Sequence, residues 1–538
     1  MEKHRRFSFG LAAILLAAVA FRVVAAAAQL PYHYQADEFQ VIERALKVGA
    51  GELNPGLFTW PGTVVIYLNF IAFGCYFVFL RLAGVVSGAA SFADYYWRAP
   101  GGFYFLGRLI SVCFGGLTVA AVWRWTRRVA SAAAAAAAAA MVTLAPAAVL
   151  TSGLALPDAA AVALGAAALA AAGKGARGGW KTALAAGILL GLGTAAKYHV
   201  LLYAPALAVA LGGSRANARE NLRLFGLAAA GIIGGFIAGC PFAVIAFRDW
   251  WRDVALMVNR PGMITVGPAA PYTLGVTLPL TFGWPLTAAA AFGLVGLYIR
   301  RDRFAAAALI AAAPILLISF IRPLPPKYML LLIPPAGAAV GAAVDAVGRS
   351  AVIFRRVAAS AVFTIVFLIA AGVAIYNVAF AAQTDTRTIA LRYIETHIPA
   401  ETRILTEAVT PDVDGPPVWL NRAAATRLLT YYETARTGSP GRWGYFLKTA
   451  AYPYGHKTYD VYLLRQLPDE RRMPRPAYAI WVKPDDPAYF AEQGLPYGAA
   501  TATWGRRYTA FLQRYGHPVY VVSGKGRPGP AVELYYLP

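Results

Sequence analysis

Long apolar stretches alternate with short polar, often basic, connections over the first 382 residues of the chain. Most of these stretches approach the roughly 20 apolar residues that a helix needs to cross a bilayer. The alternation predicts an α-helical polytopic membrane protein with about eleven spans. The predicted spans are 9–27, 104–126, 131–150, 158–173, 181–196, 199–212, 223–246, 276–299, 304–321, 328–346 and 356–381.

Two regions depart from this alternation. Thr63 to Val86 is apolar enough to cross, but a single crossing there would invert the orientation of every later loop. The region 61–103 is therefore expected to dip into the outer leaflet and return, or to lie along it, with a full crossing and a hidden return near 84–103 as the alternative. The segments on either side of Lys197 are short, so they are expected to be tilted or broken there.

Six basic clusters lie between the apolar runs, and with eleven spans all six fall on one side of the membrane. By the positive-inside rule this side is the cytoplasm. The formal net charge of +23 is therefore assigned to orientation and to contact with anionic lipid head groups, and no nucleic-acid partner is predicted. The clusters are 1–6, 124–128, 174–181, 215–223, 300–303 and 349–356.

The first apolar run follows a basic start, MEKHRR, and ends in AAAAQ, which could pass for a signal-peptide cleavage site. We interpret the run as a retained first span. Arg22 lies near its outer end, where the side chain is expected to snorkel to the interface. Cleavage would also leave the first outer loop, residues 28–103, directly behind a free N-terminus.

The composition changes after about Gln383, where charged residues, tyrosines and prolines become frequent. TRTIALRYIETHIP has helical periodicity, whereas TRILTEA, YAIWVKP, HPVYVVSG and AVELYYLP are short strand-like runs. We therefore predict two domains, a transmembrane catalytic module over 1–382 and a soluble α/β domain over 383–538. The parity of eleven spans places the second domain outside the cytoplasm.

Composition excludes several classes of protein. The chain is 59% hydrophobic and 14% charged, with a mean hydropathy of +0.53, which is too apolar for a soluble protein of this size. The three cysteines, Cys75, Cys113 and Cys240, lie in or near apolar segments and indicate neither a disulfide framework nor a cysteine zinc site. No HExxH, P-loop, Gly-rich dinucleotide turn or CxxC pair occurs, which argues against ATP-driven transport and redox chemistry.

Two adjacent carboxylates, Asp37 and Glu38, follow the first span and are the first candidate catalytic residues in the chain. The predicted topology collects further charged groups on the same outer face. A carboxylate there can take the proton of an acceptor, and cations can hold the charge that grows on a departing phosphate. The outer set is Asp37, Glu38, Arg44, Arg108, Asp158, Lys197, Tyr198, Arg260, Arg322, Lys327 and Tyr328.

Several of these residues also have a purely structural interpretation. The acidic pair could complement a helix dipole, and Asp158 could be a helix N-cap. Arg108 could snorkel, and Arg322 with Lys327 could anchor an interface. His33 lies four residues before Asp37, a spacing that could serve a metal, although Pro31 makes a local helix doubtful. No metal ligand or certain cofactor is assigned, and the sequence leaves a divalent ion undecided.

Several motifs in order resemble the polyprenyl-phosphate-sugar glycosyltransferases of the GT-C type, specifically glycosyltransferase family 39. This family includes protein O-mannosyltransferases and aminoarabinose transferases. The resemblance covers about residues 8 to 410. It rests on ADEFQVIERALKV, NPGLFTWPG, GRLISVCFGGLTVAAVWRWTRR, LAPAAVLTSGLALPD, GILLGLGTAAKYHVLLYAPAL, LPPKYMLLLIPP and TRTIALRYIETHIPAETRILTEA.

The resemblance implies a role for each matched residue. Asp37 would be the catalytic base and Glu38 its companion, Asp158 would match a second acidic position, and Tyr328 would match a tyrosine near the lipid phosphate. Lys197 and Arg108 match motif positions whose charge suits a donor phosphate, and Lys327 is added to this group for the same reason. Relatives carry HPP or KPP where this chain has TWPG at 59–62, so their basic group has no counterpart here.

The implied protein is a multi-pass enzyme of the bacterial inner membrane with a periplasmic C-terminal domain. It would transfer a sugar from a polyprenyl-phosphate carrier, with inversion, to a hydroxyl of a lipid, glycan or protein acceptor. The alternative is a transporter or flippase that moves a lipid-linked saccharide without transfer chemistry. An O-antigen ligase or polymerase is disfavoured because its main chemistry is expected in a large late outer loop.

Overall fold

The computed structural model describes residues 2–35, 37–173, 178–212, 218–258, 268–406, 415–435, 441–448, 456–463, 477–483, 508–524 and 526–538. Contacts divide the chain into two compact units. The first comprises 1–28, 37–78 and 103–379, and the second comprises 29–36, 79–102 and 380–538.

Helices dominate the described part of the chain. Short 3-10 helices also occur at Tyr198–Tyr203 and Pro326–Leu332, and a π turn at Thr273–Thr277. The α-helices are α1 Glu2–Ala27, α2 Glu38–Gly49, α3 Thr63–Leu82, α4 Ala89–Arg98, α5 Gly101–Arg127, α6 Ala132–Leu144, α7 Pro146–Ser152, α8 Asp158–Ala172, α9 Gly179–Ala196, α10 Ala204–Leu211, α11 Ala218–Gly239, α12 Phe242–Ile245, α13 Phe247–Val258, α14 Ala269–Tyr272, α15 Leu278–Phe282, α16 Trp284–Arg300, α17 Arg303–Ile321, α18 Ile333–Gly348, α19 Ile353–Ala381, α20 Thr386–His397, α21 Arg422–Ala435 and α22 Gly441–Lys448.

The described helices confirm a polytopic membrane protein. By length and composition, 7 of them can cross a membrane, or up to 9 if each of two bent pairs forms one span. The sequence predicted about eleven. The difference includes the short apolar segments Asp158–Ala172 and Tyr198–Leu211, which fall below the length of a full span. The chain breaks at Lys197, one of the two predicted outcomes, between α9 and the following 3-10 helix.

The first outer loop returns to the point where it began. A Cβ added at Gly101 would lie 3.2 Å from Cβ of Pro31, so the two ends of the loop are in contact. The path of 61–103 relative to the membrane stays a prediction. Within the loop, α3 is one continuous apolar helix of 20 residues.

One predicted span, 131–150, is bent by 59° between α6 and α7. Pro146 has no N–H, so the carbonyl of Val142 lacks its normal helical donor. Arg22 of α1 supplies the missing hydrogen bond, with Nη2 3.0 Å from Val142 O. Arg22 is 0% exposed, so the expectation that it snorkels is wrong: the side chain lies inside the helical unit, where Gly115 leaves room for it.

A second predicted span, 276–299, also consists of two pieces. The helices on either side of Gly283 meet at 105°. Gly283 has φ of +75°, a backbone conformation that glycine adopts at little cost. Pro279 and Pro285 flank it and cannot continue a regular hydrogen-bonding ladder. The predicted span 276–299 is therefore a bent pair of helices, a feature that the sequence prediction did not include.

Small residues bring helices of the first unit into backbone contact. An added Cβ at Gly187 would lie 2.2 Å from the Ala228 carbonyl oxygen, and one at Gly191 would lie 2.2 Å from that of Ile232. Helices α9 and α11 can therefore approach closely only because these positions lack side chains. The alanine run of α6 packs in the same way on α18, opposite Gly337 and Gly341.

The second unit is an α/β domain, as predicted. Among its described residues, the strands are β1 Arg403–Thr406, β2 Trp419–Leu420, β3 Thr458–Leu463, β4 Ala477–Lys483, β5 His517–Val522 and β6 Ala531–Leu537. They form one sheet in the order β2-β3-β1-β4-β6-β5. The first four in this order are parallel, whereas β6 runs antiparallel to both β4 and β5.

Two pieces of the first outer loop belong to this second unit. Tyr32 and Trp97 pack against the apolar cluster formed by α20, α21 and the sheet. Tyr34 is 3% exposed, and its hydroxyl lies 2.6 Å from Oγ1 of Thr388 in α20. The Arg387 guanidinium lies 3.8 Å from the Tyr34 ring centroid and forms a buried ion pair with Asp385. Burial raises the pKa of the Tyr34 hydroxyl.

Candidate active site

Asp37 lies directly before α2 and forms an ion pair with a distant lysine. Its Oδ2 is 3.0 Å from Nζ of Lys327, which lies 290 residues later in the 3-10 helix Pro326–Leu332. The Asp37 side chain is 39% exposed, whereas that of Lys327 is 12% exposed. The carboxylate is therefore both paired and accessible.

Asp158 and Lys197 form a second, more deeply buried ion pair. Lys197 Nζ lies 2.6 Å from Asp158 Oδ1, and the side chains are 11% and 4% exposed. Asp158 is the first residue of α8, and Pro157 occupies the N-cap position. The alternative of Asp158 as an N-cap is therefore wrong. Lys197 has an extended backbone at the break between α9 and the 3-10 helix. Its side chain reaches Asp158 from this position.

The ring of Tyr328 lies close to the ammonium group of each ion pair. Lys197 Nζ lies 4.9 Å from the centroid of its ring, and Lys327 Nζ lies 5.9 Å from it. The charges of Asp37 and Lys327 also act on the Asp158–Lys197 pair. We call these five residues, Asp37, Asp158, Lys197, Lys327 and Tyr328, the charged cluster. Two carboxylates, two ammonium groups and one phenol thus meet in one region of the helical unit.

Glu38 and Arg108 form a separate buried clamp. Arg108 donates from Nε and Nη2 to the two carboxylate oxygens of Glu38, at 2.8 Å each. Its Nη1 donates to the carbonyl oxygens of Ala26 and Ala28, at 3.0 and 2.9 Å. Glu38 also accepts from the N–H of Ala155 at 2.8 Å. Arg108 is only 2% exposed, so it does not snorkel, and its donors are engaged within the protein.

The loop that carries TWPG is fastened next to the charged cluster. The Tyr198 hydroxyl donates to the Phe58 carbonyl oxygen at 2.8 Å, and the N–H of Gly62 donates to Ala196 O at 3.0 Å. Trp250 of α13 donates from Nε1 to the Tyr198 oxygen at 3.0 Å. Sequence reasoning missed Trp250. The amphipathic run FRDWWRDVALMV was the signal that could have drawn attention to it.

The remaining members of the predicted outer set lie elsewhere. Arg44 in α2 donates to the carbonyl oxygen of Pro55 and so holds the first outer loop. Arg322 is exposed at the end of α17. Arg260 falls outside the described residues. Among the described residues no group of three or more histidine, cysteine and carboxylate side chains is arranged to hold a metal, so His33 with Asp37 lacks the further ligand that a metal site needs.

Comparison with known proteins gives a match to a family model over part of the chain and a fold for almost all of it. Residues 103–244, which contain Arg108, Asp158 and Lys197, match the family model described as dolichyl-phosphate-mannose-protein mannosyltransferase. A search of curated protein sequences finds no relative.

Solved structures match almost the whole chain. ArnT from Cupriavidus metallidurans bound to undecaprenyl phosphate is 15% identical over 98% of this chain and 97% of its own, with a TM-score of 0.53. The oligosaccharyltransferase AglB from Archaeoglobus fulgidus, in complex with an inhibitory peptide and a dolichol-phosphate, is 13% identical over 98% of this chain and 74% of its own, with a TM-score of 0.51. The chain therefore has the fold of the GT-C glycosyltransferases, and its predicted resemblance to them is confirmed.

Proposed function

We propose that the protein is a membrane glycosyltransferase that moves a sugar from a polyprenyl-phosphate carrier to an acceptor hydroxyl on the periplasmic face of a bacterial inner membrane. The observation that carries this proposal is the charged cluster, in which an accessible carboxylate lies beside two ammonium groups. The carboxylate suits proton transfer, and the ammonium groups suit a lipid phosphate. The matched structures hold polyprenyl-type phosphates, which supports the choice of donor.

Asp37 is the general base in this proposal. Its carboxylate takes the proton of the acceptor hydroxyl, and the acceptor oxygen forms a bond to the anomeric carbon of the donor sugar. The bond between that carbon and the phosphate oxygen breaks, and its electron pair leaves with the phosphate. Attack from the face opposite the phosphate inverts the anomeric configuration. Before the acceptor arrives, Lys327 holds the Asp37 carboxylate in place through their ion pair.

Lys197, Lys327 and Tyr328 bind the donor phosphate. Both ammonium groups lie close to the Tyr328 ring, so an anion beside the ring meets two cations and a hydroxyl donor. Asp158 fixes the position of Lys197 through their short ion pair. The negative charge that develops on the leaving phosphate is stabilised there without reorganisation of the site.

Glu38 and Arg108 position the base rather than react. The sequence placed Glu38 in catalysis and Arg108 at the phosphate. Because the two side chains bind each other and nearby backbone groups, we assign them the task of fixing the start of α2. Asp37 is the residue that immediately precedes this helix.

Asp37→Asn provides the test. The amide keeps the shape of the side chain but cannot take a proton, so transfer by the variant should fall roughly 10²- to 10⁴-fold. The measurement is release of free polyprenyl phosphate from the lipid-linked donor in proteoliposomes. Binding of the donor should persist, which serves as the control for folding.

The same assay separates the proposal from lipid translocation. A flippase would move the donor between leaflets without releasing free carrier, even with wild-type protein. Wild-type activity that persists in Asp37→Asn would refute the assignment of the base.

A further inference from the structure

Helix α13, Phe247–Val258, carries two large aromatic side chains on its surface. Phe247 and Trp251 lie one turn apart on the same side of the helix, and their rings stack with 6.5 Å between the centroids. The two residues are 56% and 59% exposed. We call Phe247 and Trp251 the aromatic edge. Exposed apolar groups that lie together mark a surface for lipid or for another protein.

The other side of α13 is charged. Asp249 and Arg252 lie there, exposed, and form an ion pair with 3.2 Å between Oδ1 and Nη1. A helix with one charged and one aromatic side is typical of segments that lie in a membrane interface. With 12 residues and a length of about 18 Å, α13 is too short to cross a hydrocarbon core of about 30 Å.

The chain leads from a candidate membrane span into α13. Helix α11 ends at Gly239 and is long and apolar enough to cross a membrane. Exposed apolar residues continue from α11 through the connection to α13, at Ile233, Ile237, Val244 and Ile245. The aromatic edge therefore extends the exposed apolar surface of a span to the level at which aromatic belts lie in membrane proteins.

The size of the aromatic edge favours lipid over a protein partner. One side of a helix about 18 Å long and about 10 Å wide offers roughly 200 Å² of surface. A stable protein–protein interface buries about 800 Å² on each partner. The occupant that fits this surface is therefore the bilayer interface.

The inward side of α13 binds the loop that carries TWPG. Asp253 accepts from the N–H of Phe58, with 3.4 Å between Oδ2 and N. Trp250 packs against the apolar cluster that contains Phe58. Trp250 also donates to the Tyr198 hydroxyl, which in turn donates to Phe58 O. Both backbone polar groups of Phe58, the residue before TWPG, are thus held by α13, one directly and one through a hydroxyl.

We propose that α13 is an interfacial anchor, in which Phe247 and Trp251 insert into the bilayer at the boundary between head groups and acyl chains and so fix the TWPG loop beside the charged cluster. The partner is the lipid surface on the membrane face that carries this cluster. The inference concerns a contact with lipid and does not rest on the proposed chemistry.

Spin labels on the full-length protein report the medium on each side of α13. The cysteines Cys75, Cys113 and Cys240 are replaced by alanine, and the labelled proteins are placed in vesicles of phosphatidylethanolamine and phosphatidylglycerol. Oxygen, which partitions into the acyl region, and a water-soluble nickel chelate are the relaxing agents. The labelling sites come from four separate substitutions, Phe247→Cys, Asp249→Cys, Trp251→Cys and Arg252→Cys.

We expect labels at 247 and 251 to collide several-fold more often with oxygen than with the chelate, and labels at 249 and 252 to show the reverse. More frequent collision with the chelate at 247 and 251 would place the aromatic edge in water. Protection of these two labels from both reagents would place a protein partner or a second copy of the chain there. Either result overturns the inference.

A second measurement needs only one conservative substitution. The fluorescence of Trp251 is the difference between the wild type and Trp251→Phe in the same vesicles. Lipids brominated near the carboxyl end of the acyl chain should quench this difference more strongly than lipids brominated near the methyl end. The opposite order, equal quenching or no quenching would overturn the inference.

Hydrogen exchange measured by mass spectrometry tests the link to the loop. In the double variant Phe247→Ser with Trp251→Ser, the segment containing Phe58 and Gly62 should exchange several-fold faster in vesicles, because the helix that binds Phe58 loses its contact with lipid. Leu256→Ser is the matched control, since Leu256 is 60% exposed on the charged side of the same helix. Wild-type exchange in the double variant, or equally fast exchange in Leu256→Ser, would overturn the assignment of α13 as the anchor of this loop.

Discussion

The two ion pairs of the charged cluster differ in their access to water, and this difference separates their tasks. Asp37 is 39% exposed and can exchange Lys327 for another partner, whereas Asp158 is 4% exposed and stays with Lys197. A buried carboxylate that kept its charge without a cation would pay a large desolvation penalty. In the proposed function Asp158 therefore holds Lys197 in place, and the more exposed Asp37 meets the acceptor.

Lys197→Met should consequently destabilise the protein by roughly 3–5 kcal/mol, because Asp158 is left buried without its cation. The double variant Lys197→Met with Asp158→Leu should be considerably more stable than the single variant. Chemical denaturation in detergent, followed by tryptophan fluorescence, measures both.

Arg223→Ala is the matched control. It removes a surface pair with Glu220 whose side chains are 64% and 42% exposed, and it should change stability by less than about 1 kcal/mol. Equal losses for the single and double variants at Lys197 would show that the Asp158 charge is not the cause.

Part of the charged cluster could be predicted from the sequence. Asp37, Asp158 and Lys197 stand out because charged residues beside apolar runs are conspicuous in any hydropathy pattern. The partner of Asp37 is not visible in the same way, since Lys327 lies 290 residues away and pairing over that distance depends on tertiary packing. The ion pair between Glu38 and Arg108 was missed for this reason: Glu38 was assigned to chemistry from the family resemblance, and Arg108 from its charge.

At the scale of elements, the kink between α6 and α7 shows why the presence of an apolar segment is easier to predict than the shape of its helix. The apolar run 131–150 identified a span, and Pro146 marked where the regular backbone hydrogen bonding of the helix is interrupted. Another helix supplies the missing hydrogen bond, because Arg22 of α1 donates to Val142 O. A local pattern indicates the defect, but only the fold reveals what compensates for it.

Arg22→Met should destabilise the protein by roughly 1–3 kcal/mol, because it leaves the carbonyl of Val142 buried without a donor. In a Pro146→Ala background the helix regains an N–H at position 146, so the same substitution should be markedly less harmful. The coupling is obtained from thermal unfolding of the four proteins in one detergent. If Arg22→Met is equally harmful in both backgrounds, the arginine does not act at the kink.

At the scale of the whole molecule, the second unit is assembled from separate parts of the sequence. The change of composition near Gln383 locates the start of the contiguous segment that belongs to this unit, and its strand-like runs predict an α/β fold correctly. Residues 29–36 and 79–102 join the same compact unit, although they lie in the first outer loop. Their membership depends on aromatic packing between distant segments, for which hydropathy and composition carry no signal.

This composite architecture makes the stability of the second unit sensitive to a residue of the first outer loop. Trp97 stacks on Tyr445 with 5.7 Å between ring centroids and packs against the core beneath the sheet. Trp97→Ala should therefore destabilise the second unit by about 2 kcal/mol. Hydrogen exchange measured by mass spectrometry should show faster exchange in β1 and β3, with no change in α18. The control is Arg98→Ala, which changes the next residue in the sequence, an exposed one; it should leave the hydrogen exchange of both regions slow. If β1 and β3 exchange as slowly in Trp97→Ala as in the wild type, the contiguous segment from Phe380 onward stabilises its own core without Trp97.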